Sequence, residues 1–233
     1  MKNLLALMLG ATLTLQPTYA VAGTANKDED RLKDCGAVLN EILGIPDNIP
    51  QDLLDRADCV VVYPSVLKAA FVFGGSYGRG AMTCRIGEHF TEAWGAPTMM
   101  ALEGGSFGFQ IGGQATDFVL LVMNEGGARG ILAGKVKLGG DASIAAGPVG
   151  REASAETDLT LRSEILSYSR SRGLFAGISL EGSTIRPDNK ANKQVYSKSV
   201  DARQIVLSEQ IRVPAAAEQL VSTLNAKAPH HRP

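Results

Sequence analysis

The amino-acid sequence predicts an α+β fold, in which a large, mostly antiparallel β-sheet, open or barrel-like, packs against helices from the N- and C-terminal segments. Short β-branched or alternating stretches, separated by glycine-rich turns, fill the middle of the chain. Amphipathic helical patterns stand at both ends, and strands and helices do not alternate as they do in βαβ folds. No linker interrupts this pattern, so we expect a single domain after an N-terminal leader.

The leader has the pattern of a signal peptide. Lys2 supplies the positive charge, residues 4–15 are apolar, and the Ala-Val-Ala of residues 20–22 matches a cleavage site. The apolar stretch is too short to span a bilayer. We therefore expect residues 1–22 to be removed and residues 23–233 to form an exported domain, periplasmic or secreted and peripherally associated with a membrane.

Helices are predicted close to both termini. Between residues 28 and 43, Leu32, Cys35 and Leu39 share one face, and the opposite face is acidic, so this helix should pack on the core. Prolines then break the pattern, and a short second helix is expected to end near residue 56. A terminal helix is expected over residues 214–226.

The strand candidates are short apolar runs. Residues 74–80 are rich in glycine and are interpreted as a turn, and residues 191–207 fit either a helix or a strand. The predicted strands are residues 59–63, 68–73, 81–86, 106–111, 117–124, 131–138, 142–146, 153–161, 164–169 and 175–180.

Composition and cysteine content restrict the possible functions. The chain has 233 residues, of which 45% are hydrophobic and 20% charged, and its net charge of −1 is untypical of nucleic-acid binders. Of three cysteines, Cys59 and Cys84 lie in strand-like runs and are the preferred disulfide, whereas Cys35 lies on the first helix. Three reduced, buried cysteines are the alternative. No C-x-x-C or cofactor-binding motif is present, so we expect neither a metal nor a cofactor.

A serine hydrolase is the least favoured alternative. Ser76 and Ser106 both fit G-x-S-x-G, which in hydrolases requires a strand, a turn and a helix, followed by an acid and a histidine. After Ser106 the sequence continues as strand, and the only later histidines, His230 and His231, stand in what reads as a frayed tail. We therefore expect no catalysis.

The most informative stretch is residues 168–182. Arg170 and Arg172 stand two residues apart, so on a strand they share a face, and Gly173 allows a tight bend. Leu174 and Phe175 follow directly and add an apolar wedge. Because guanidinium groups bind phosphate in a bidentate manner, this combination is suited to a phospholipid surface, although a half-buried strand with solvated arginines has the same composition.

Several further motifs occur in a fixed order along the chain. They are CVVVYP at 59–64, KAAFVFGG at 68–75, GRG at 78–80, Trp94 with Pro97, SFGFQIG at 106–112, GPVGR at 147–151, and residues 168–182. In this ordered series the sequence resembles the SYLF-domain family, from about residue 32 to about residue 225. The resemblance implies a non-catalytic lipid-binding domain; eukaryotic members bind phosphoinositides and work beside SH3 or FYVE modules in membrane and actin remodelling.

Together these features predict binding of anionic, phosphoinositide-like phospholipid head groups at a membrane surface. Leu174 and Phe175 would contact the apolar layer, and substituting Arg170 and Arg172 should weaken lipid binding and leave stability unchanged. An envelope domain that binds proteins without lipid is the main alternative, and its partners are unknown. The predicted head-group ligands are Lys68, Arg79, Lys135, Lys137, Arg151, Arg170 and Arg172, with Arg85 in the same basic set.

Overall fold

A nine-stranded sheet, curled into a half-barrel, forms the centre of the protein, and six α-helices accompany it in the described part of the chain. The computed structural model describes residues 25–70, 74–106, 114–150, 162–171, 174–208 and 210–232. The predicted α+β class with a mostly antiparallel sheet is confirmed. The predicted signal peptide, residues 1–22, lies outside the described residues.

The strands connect mainly as antiparallel neighbours. Their order across the sheet is β5-β9-β3-β2-β1-β4-β7-β6, with β8 paired to β7, and only β6 and β7 run parallel. The strands are β1 (Cys59–Ala70), β2 (Gly74–Cys84), β3 (Thr98–Ser106), β4 (Gln114–Val122), β5 (Val136–Lys137), β6 (Ile144–Ala146), β7 (Ile165–Ser171), β8 (Leu174–Gly177) and β9 (Thr184–Pro187). The helices are α1 (Ala25–Leu43), α2 (Gln51–Arg56), α3 (Glu125–Ala133), α4 (Asn189–Tyr196), α5 (Ala202–Leu207) and α6 (Glu218–Lys227).

Helices cover both faces of the sheet. Because neighbouring side chains of a strand point to opposite faces, Val60 and Val62 of β1 pack in one core with α1 and α6. Val61 and Tyr63 pack in a second core with α3 and α5. The sheet is therefore a central layer, and burying each large apolar side chain in it contributes roughly 1.5–3 kcal/mol.

The glycine-rich stretch 74–80, predicted as a turn, is instead the first half of β2. The β1 strand bulges between Val62 and Leu67, and this brings its backbone against β2. A Cβ atom on Gly80 would stand 1.9 Å from the carbonyl oxygen of Val62. Glycine is needed here for close approach of two strands, not for a turn.

Other predicted elements need correction. Residues 131–138 do not form one strand, because residues up to Ala133 belong to α3, whose N-terminal amide at Gly127 donates to the side chain of Asn124. The strand β3 was not predicted over most of its length, and the ambiguous 191–207 segment forms α4 and α5. The helices predicted near both termini are present as α1, α2 and α6. The strand predicted over 153–161 lies outside the described residues.

The predicted pair Cys59 and Cys84 forms a disulfide between directly opposed residues of β1 and β2. Cys35 of α1 is free and fully buried, and its thiol donates to the carbonyl oxygen of Val62 at 3.4 Å. Burial raises the pKa of the Cys35 thiol, so it remains a protonated, apolar core residue.

Candidate functional site

The two ends of the sheet differ in what they expose. The connections from β1 to β2, from β3 to β4 and from β7 to β8 all leave the sheet at one end, which we call the hairpin end. Strand pairing places these three strand ends side by side across β1, β4 and β7. The opposite end, which we call the tail end, carries the disulfide and the C-terminal residues 228–232.

Three large apolar side chains are exposed at the hairpin end. Leu67 is 61% exposed, Tyr77 46% and Leu174 78%, and Val149 at 37% is the other large exposed hydrophobic residue in the described ranges. Leu67 and Tyr77 are direct partners on β1 and β2 and share a face of the sheet. The register through β4 and β7 places Leu174, at the start of β8, on the opposite face. Exposed large apolar side chains at one end of a sheet are candidates for contact with a membrane or another protein. The sequence pattern did not single out Leu67 and Tyr77, because their exposure depends on where the sheet ends.

Arg170 is held by the fold just inside the hairpin end. Its Nε and Nη2 atoms bond Asp117 Oδ2 at 3.0 and 2.8 Å, and its Nη1 bonds Glu41 of α1. Asp117 also accepts the amide of Ser65, in the β1 bulge, at 2.9 Å. This arginine therefore links α1 to β1, β4 and β7, and the expectation that its substitution leaves stability unchanged does not fit this geometry.

Arg79 is likewise engaged with neighbouring side chains. Its Nε donates to the Tyr77 hydroxyl at 2.6 Å, and its Nη1 lies 3.4 Å from Asp188 Oδ2. The hydrogen bond to Tyr77 is the largest contribution to a raised pKa of Arg79. Arg79 thus orients the exposed ring of Tyr77 at the hairpin end.

Lys135 and Lys137 do not form the predicted pair on one strand. Lys135 lies between α3 and β5, and only Lys137 belongs to a strand, at the edge of the sheet away from Arg170. Both side chains are exposed, and within the ranges that the structure describes neither ammonium group pairs with a carboxylate, although the backbone amide of Lys137 donates to Asp141 Oδ2 at 2.8 Å. Arg151 and Arg172 lie outside those ranges, as does the side chain of Lys68. The predicted head-group ligands whose side chains the structure describes therefore do not lie in a single patch.

The two predicted apolar contacts have different environments. Leu174 is open to solvent, whereas the ring of Phe175 stacks on that of Tyr168 with centroids 5.5 Å apart. Tyr168 is fully buried, its hydroxyl has no hydrogen-bond partner among the described residues, and burial raises its pKa. Phe175 is thus a partly buried extension of the core, and Leu174 is the side chain available for contact.

Arg85, included in the basic set by its sequence context, is completely buried at the tail end. Its guanidinium donates to five carbonyl oxygens at 3.1–3.4 Å and lies 4.4 Å from the ring centroid of Trp94. Burial lowers the pKa of Arg85, and the nearby Asp55 and Asp58 oppose that shift. The five acceptors are Asp55, Ala57, Glu92, Ala228 and His230.

The C-terminal segment, predicted to be frayed, is docked on the tail end. His231 Nε2 lies 3.1 Å from Asp58 Oδ1, and Arg232 donates its backbone amide to the carbonyl of Asp55 at 3.1 Å. Trp94 Nε1 donates to the carbonyl of Ala228 at 2.9 Å. Burial raises the pKa of Asp58 from 3.8 to about 6, although His231 opposes the shift.

The G-x-S-x-G motif at Ser76 does not form a nucleophile elbow, and the residues that follow Ser106 lie outside the described ranges. Ser76 lies inside β2, and its hydroxyl reaches the carbonyl of Gly104 at 3.5 Å. Ser106 ends β3 at the hairpin end, whereas His231 is at the tail end. Within the described ranges no group of three or more His, Cys, Asp or Glu side chains could hold a metal, and no helix has the length and apolar character needed to cross a bilayer.

Comparison with known proteins identifies the family. The family described as "Ysc84: Las17-binding protein actin regulator" matches residues 103–227. LAS seventeen-binding protein 3 of Saccharomyces cerevisiae is 35% identical over 197 residues, covering 83% of this chain and 42% of the relative. Protein YSC84 of the same yeast is 36% identical over 192 residues, covering 81% of this chain and 40% of the relative.

The human SH3 domain-containing YSC84-like protein 1 is 31% identical over 183 residues, covering 78% of this chain and 52% of the relative. The chain thus spans about half, or less, of the length of these relatives. Their names describe binding and SH3-containing proteins and not enzymes. Since the family match extends over more than half of the chain, this protein belongs to the Ysc84/SYLF-domain family.

Proposed function

We propose that this protein binds anionic phospholipid membranes without chemical turnover, and that the hairpin end faces the lipid. The observation that carries the proposal is the exposure of three large apolar side chains at that end, Leu67 and Tyr77 on one face of the sheet and Leu174 on the other. In the sequence, the connections between these strands add Phe71 and Phe73, among other apolar residues. Apolar side chains of this kind can enter the interface between head groups and acyl chains.

The relative size of two contributions favours the hairpin end over a purely electrostatic site. Burying one leucine contributes about 1.5–3 kcal/mol, whereas one basic residue near an anionic surface contributes on the order of 1 kcal/mol. Arg79 and Arg170 are paired with carboxylates, so their contribution is smaller still. In the sequence, Lys68 stands near the β1–β2 connection and Arg172 within the β7–β8 connection, and we propose that these two basic residues add to the apolar contact.

Vesicle flotation tests the proposal. The protein should float with phosphatidylcholine vesicles that contain phosphatidylserine, and Leu67→Ser combined with Leu174→Ser should reduce binding at least about tenfold, because two apolar contacts are lost. Val149→Ser is the matched control, since it removes an exposed hydrophobic side chain that belongs to none of the strands joined at the hairpin end. Unchanged binding of the double variant, or equal loss in the control, would exclude the hairpin end as the contact.

The main alternative is an envelope domain that binds a protein and not a lipid. The protein-binding part of this alternative is favoured by the name of the yeast relative, LAS seventeen-binding protein 3. Because apolar side chains at the hairpin end would serve either partner, flotation separates the two. A folded protein that floats with neither neutral nor anionic vesicles would support the protein-binding function.

We also propose that the protein acts after export, in the periplasm or outside the cell. The Cys59–Cys84 disulfide supports this location, because structural disulfides persist in oxidising compartments. The test is N-terminal sequencing of the protein isolated from its natural host, where a start at or near Gly23 is expected. A protein that retains Lys2 in that host would contradict export through this leader.

A further inference from the structure

A cleft lies beside β9, near an edge of the sheet, and none of its lining residues belongs to the three connections of the hairpin end. It has a volume of about 410 Å³ and is bounded by the end of α3 and the starts of α4 and α5. Lys135, Arg186 and Arg203 line it, each from a different part of the chain. Of these, only Lys135 was predicted from the sequence as a ligand. Arg186 and Arg203 are distant from it in the chain, and only the tertiary fold brings the three residues to one cleft.

The charges around this cleft are unbalanced. Lys135 and Arg203 are exposed and have no carboxylate partner in the described part of the chain. Arg186 directs Nε and Nη2 to Glu103 Oε1 at 3.1 and 2.7 Å, which orients its guanidinium while 40% of the side chain stays exposed. Asp201 is the only carboxylate among the described lining residues, and it accepts the backbone amide of Gln204 at 2.8 Å as a helix cap.

We propose that this cleft binds a small anion that carries phosphate groups. Two guanidinium groups and one ammonium group around a concave surface suit a ligand with oxygen atoms in several directions. A phosphate group offers this arrangement, whereas a carboxylate offers two coplanar oxygens. Against the three cations stand two carboxylates, Glu103, which pairs with Arg186, and Asp201, which caps α5, so the cleft keeps an excess of one positive charge.

The phosphate could belong to a lipid head group or to a free soluble anion. As an account of head-group recognition, the inference rests on the function proposed above. Binding of a free anion in solution does not involve a membrane, so the cleft can be tested even if flotation fails. The hairpin variants can equally be tested if the cleft binds nothing.

The test uses the whole chain in two arms. In the first, inorganic pyrophosphate is titrated calorimetrically into the wild-type protein and a variant with Lys135→Gln and Arg203→Gln. In the second, both proteins are floated with phosphatidylcholine vesicles that contain phosphatidic acid, and with vesicles that contain phosphatidylserine instead. The control is Lys193→Gln with Arg212→Gln, which removes the same two types of charge from exposed positions outside the cleft.

Saturable binding of pyrophosphate that weakens at least about tenfold in the cleft variant, and not in the control, is the expected result, because two charge-assisted contacts are removed. A cleft-dependent preference for phosphatidic acid over phosphatidylserine would identify the lipid head group as the source, and binding of pyrophosphate alone would identify a free anion. Absence of cleft-dependent binding in both arms, or equal loss in the control variant, would overturn the proposal.

Discussion

Two arginines, one at each end of the sheet, show how differently the ends are built. Arg85 at the tail end is fully buried and donates to five backbone carbonyl oxygens, two of them in the C-terminal segment. Arg170, near the hairpin end, is partly exposed and pairs with the side chains of Asp117 and Glu41. Arg85 attaches the C-terminal segment to the rest of the fold. Arg170 joins α1 to the sheet near an end where the outermost apolar side chains are exposed to solvent.

The contacts that join distant parts of the chain and the exposed apolar side chains therefore lie at opposite ends of the sheet. The tail end concentrates the disulfide, Arg85, Trp94 and the docked C-terminal segment, all of which join distant parts of the chain. The hairpin end exposes Leu67 and Leu174. Because these contacts stabilise the sheet at the tail end, the hairpin end can expose apolar side chains without unfolding the protein.

The largest effect is expected for Arg85→Ala. Removing the guanidinium leaves five carbonyl oxygens without their donor in a buried site, so the free energy of unfolding should fall by about 3–5 kcal/mol. Chemical denaturation measures this change. Arg212→Ala, at an exposed position, is the control and should change stability by less than about 0.5 kcal/mol. Equal effects of the two substitutions would remove the contrast between buried and exposed cations.

A pH-dependent effect of somewhat smaller size is expected for Asp58. The pKa of Asp58 is raised from 3.8 to about 6 in the folded protein, so the folded state binds the proton more tightly than the unfolded state between these values. The contribution of Asp58 to stability must therefore decrease as the pH rises through that window. Asp58→Asn removes the titration.

The measurement for Asp58 is the unfolding free energy of both proteins from pH 4 to pH 7. The wild-type value minus that of Asp58→Asn should fall by about 2–3 kcal/mol over this range. Burial is the largest influence on the pKa of this carboxyl group and Glu125 acts in the same direction, whereas His231 and Arg85 favour the charged form. If the difference in unfolding free energy between the two proteins stays constant, or rises with pH, burial does not destabilise the charged form of the Asp58 carboxyl group.

An intermediate effect is expected for Arg170→Ala. It removes two hydrogen bonds to Asp117 and one to Glu41 at a site where the arginine side chain is 19% exposed, and should lower the unfolding free energy by about 2 kcal/mol. Arg186→Ala is the control, because its bond to Glu103 joins side chains that are 40% and 38% exposed and should contribute less than about 1 kcal/mol. A loss as large as that of Arg85→Ala would show that both ends are equally important for stability.

The smallest effect on stability is expected at the outermost residues of the hairpin end. Leu67→Ser combined with Leu174→Ser should change the unfolding free energy by less than about 0.5 kcal/mol, because both side chains are already in contact with solvent. The melting temperature measured without lipid checks this expectation. A large decrease would mean that these leucines support the fold, and would weaken their assignment as a contact surface.

The sequence was informative where local patterns decide structure. The amphipathic period of residues 28–43 correctly indicated a helix that packs on the core, and the β-branched run at residues 59–63 correctly indicated the first part of β1. Glycine was misleading at residues 74–80, because it can permit a turn or the close approach of two strands, and only the β1 bulge shows which requirement applies.

The fold class, the order of most elements, the preferred disulfide and the family resemblance could therefore be predicted from local patterns in the amino-acid sequence. The tertiary structure decided which cations are free, because pairing depends on contacts between residues distant in the chain, such as Arg170 with Glu41 and Arg85 with the carbonyl of Ala228. It also decided which hydrophobic side chains are exposed. Local patterns record the period of a helix or strand, but burial and ion pairing are properties of surfaces that form only when the sheet curls and the C-terminal segment docks.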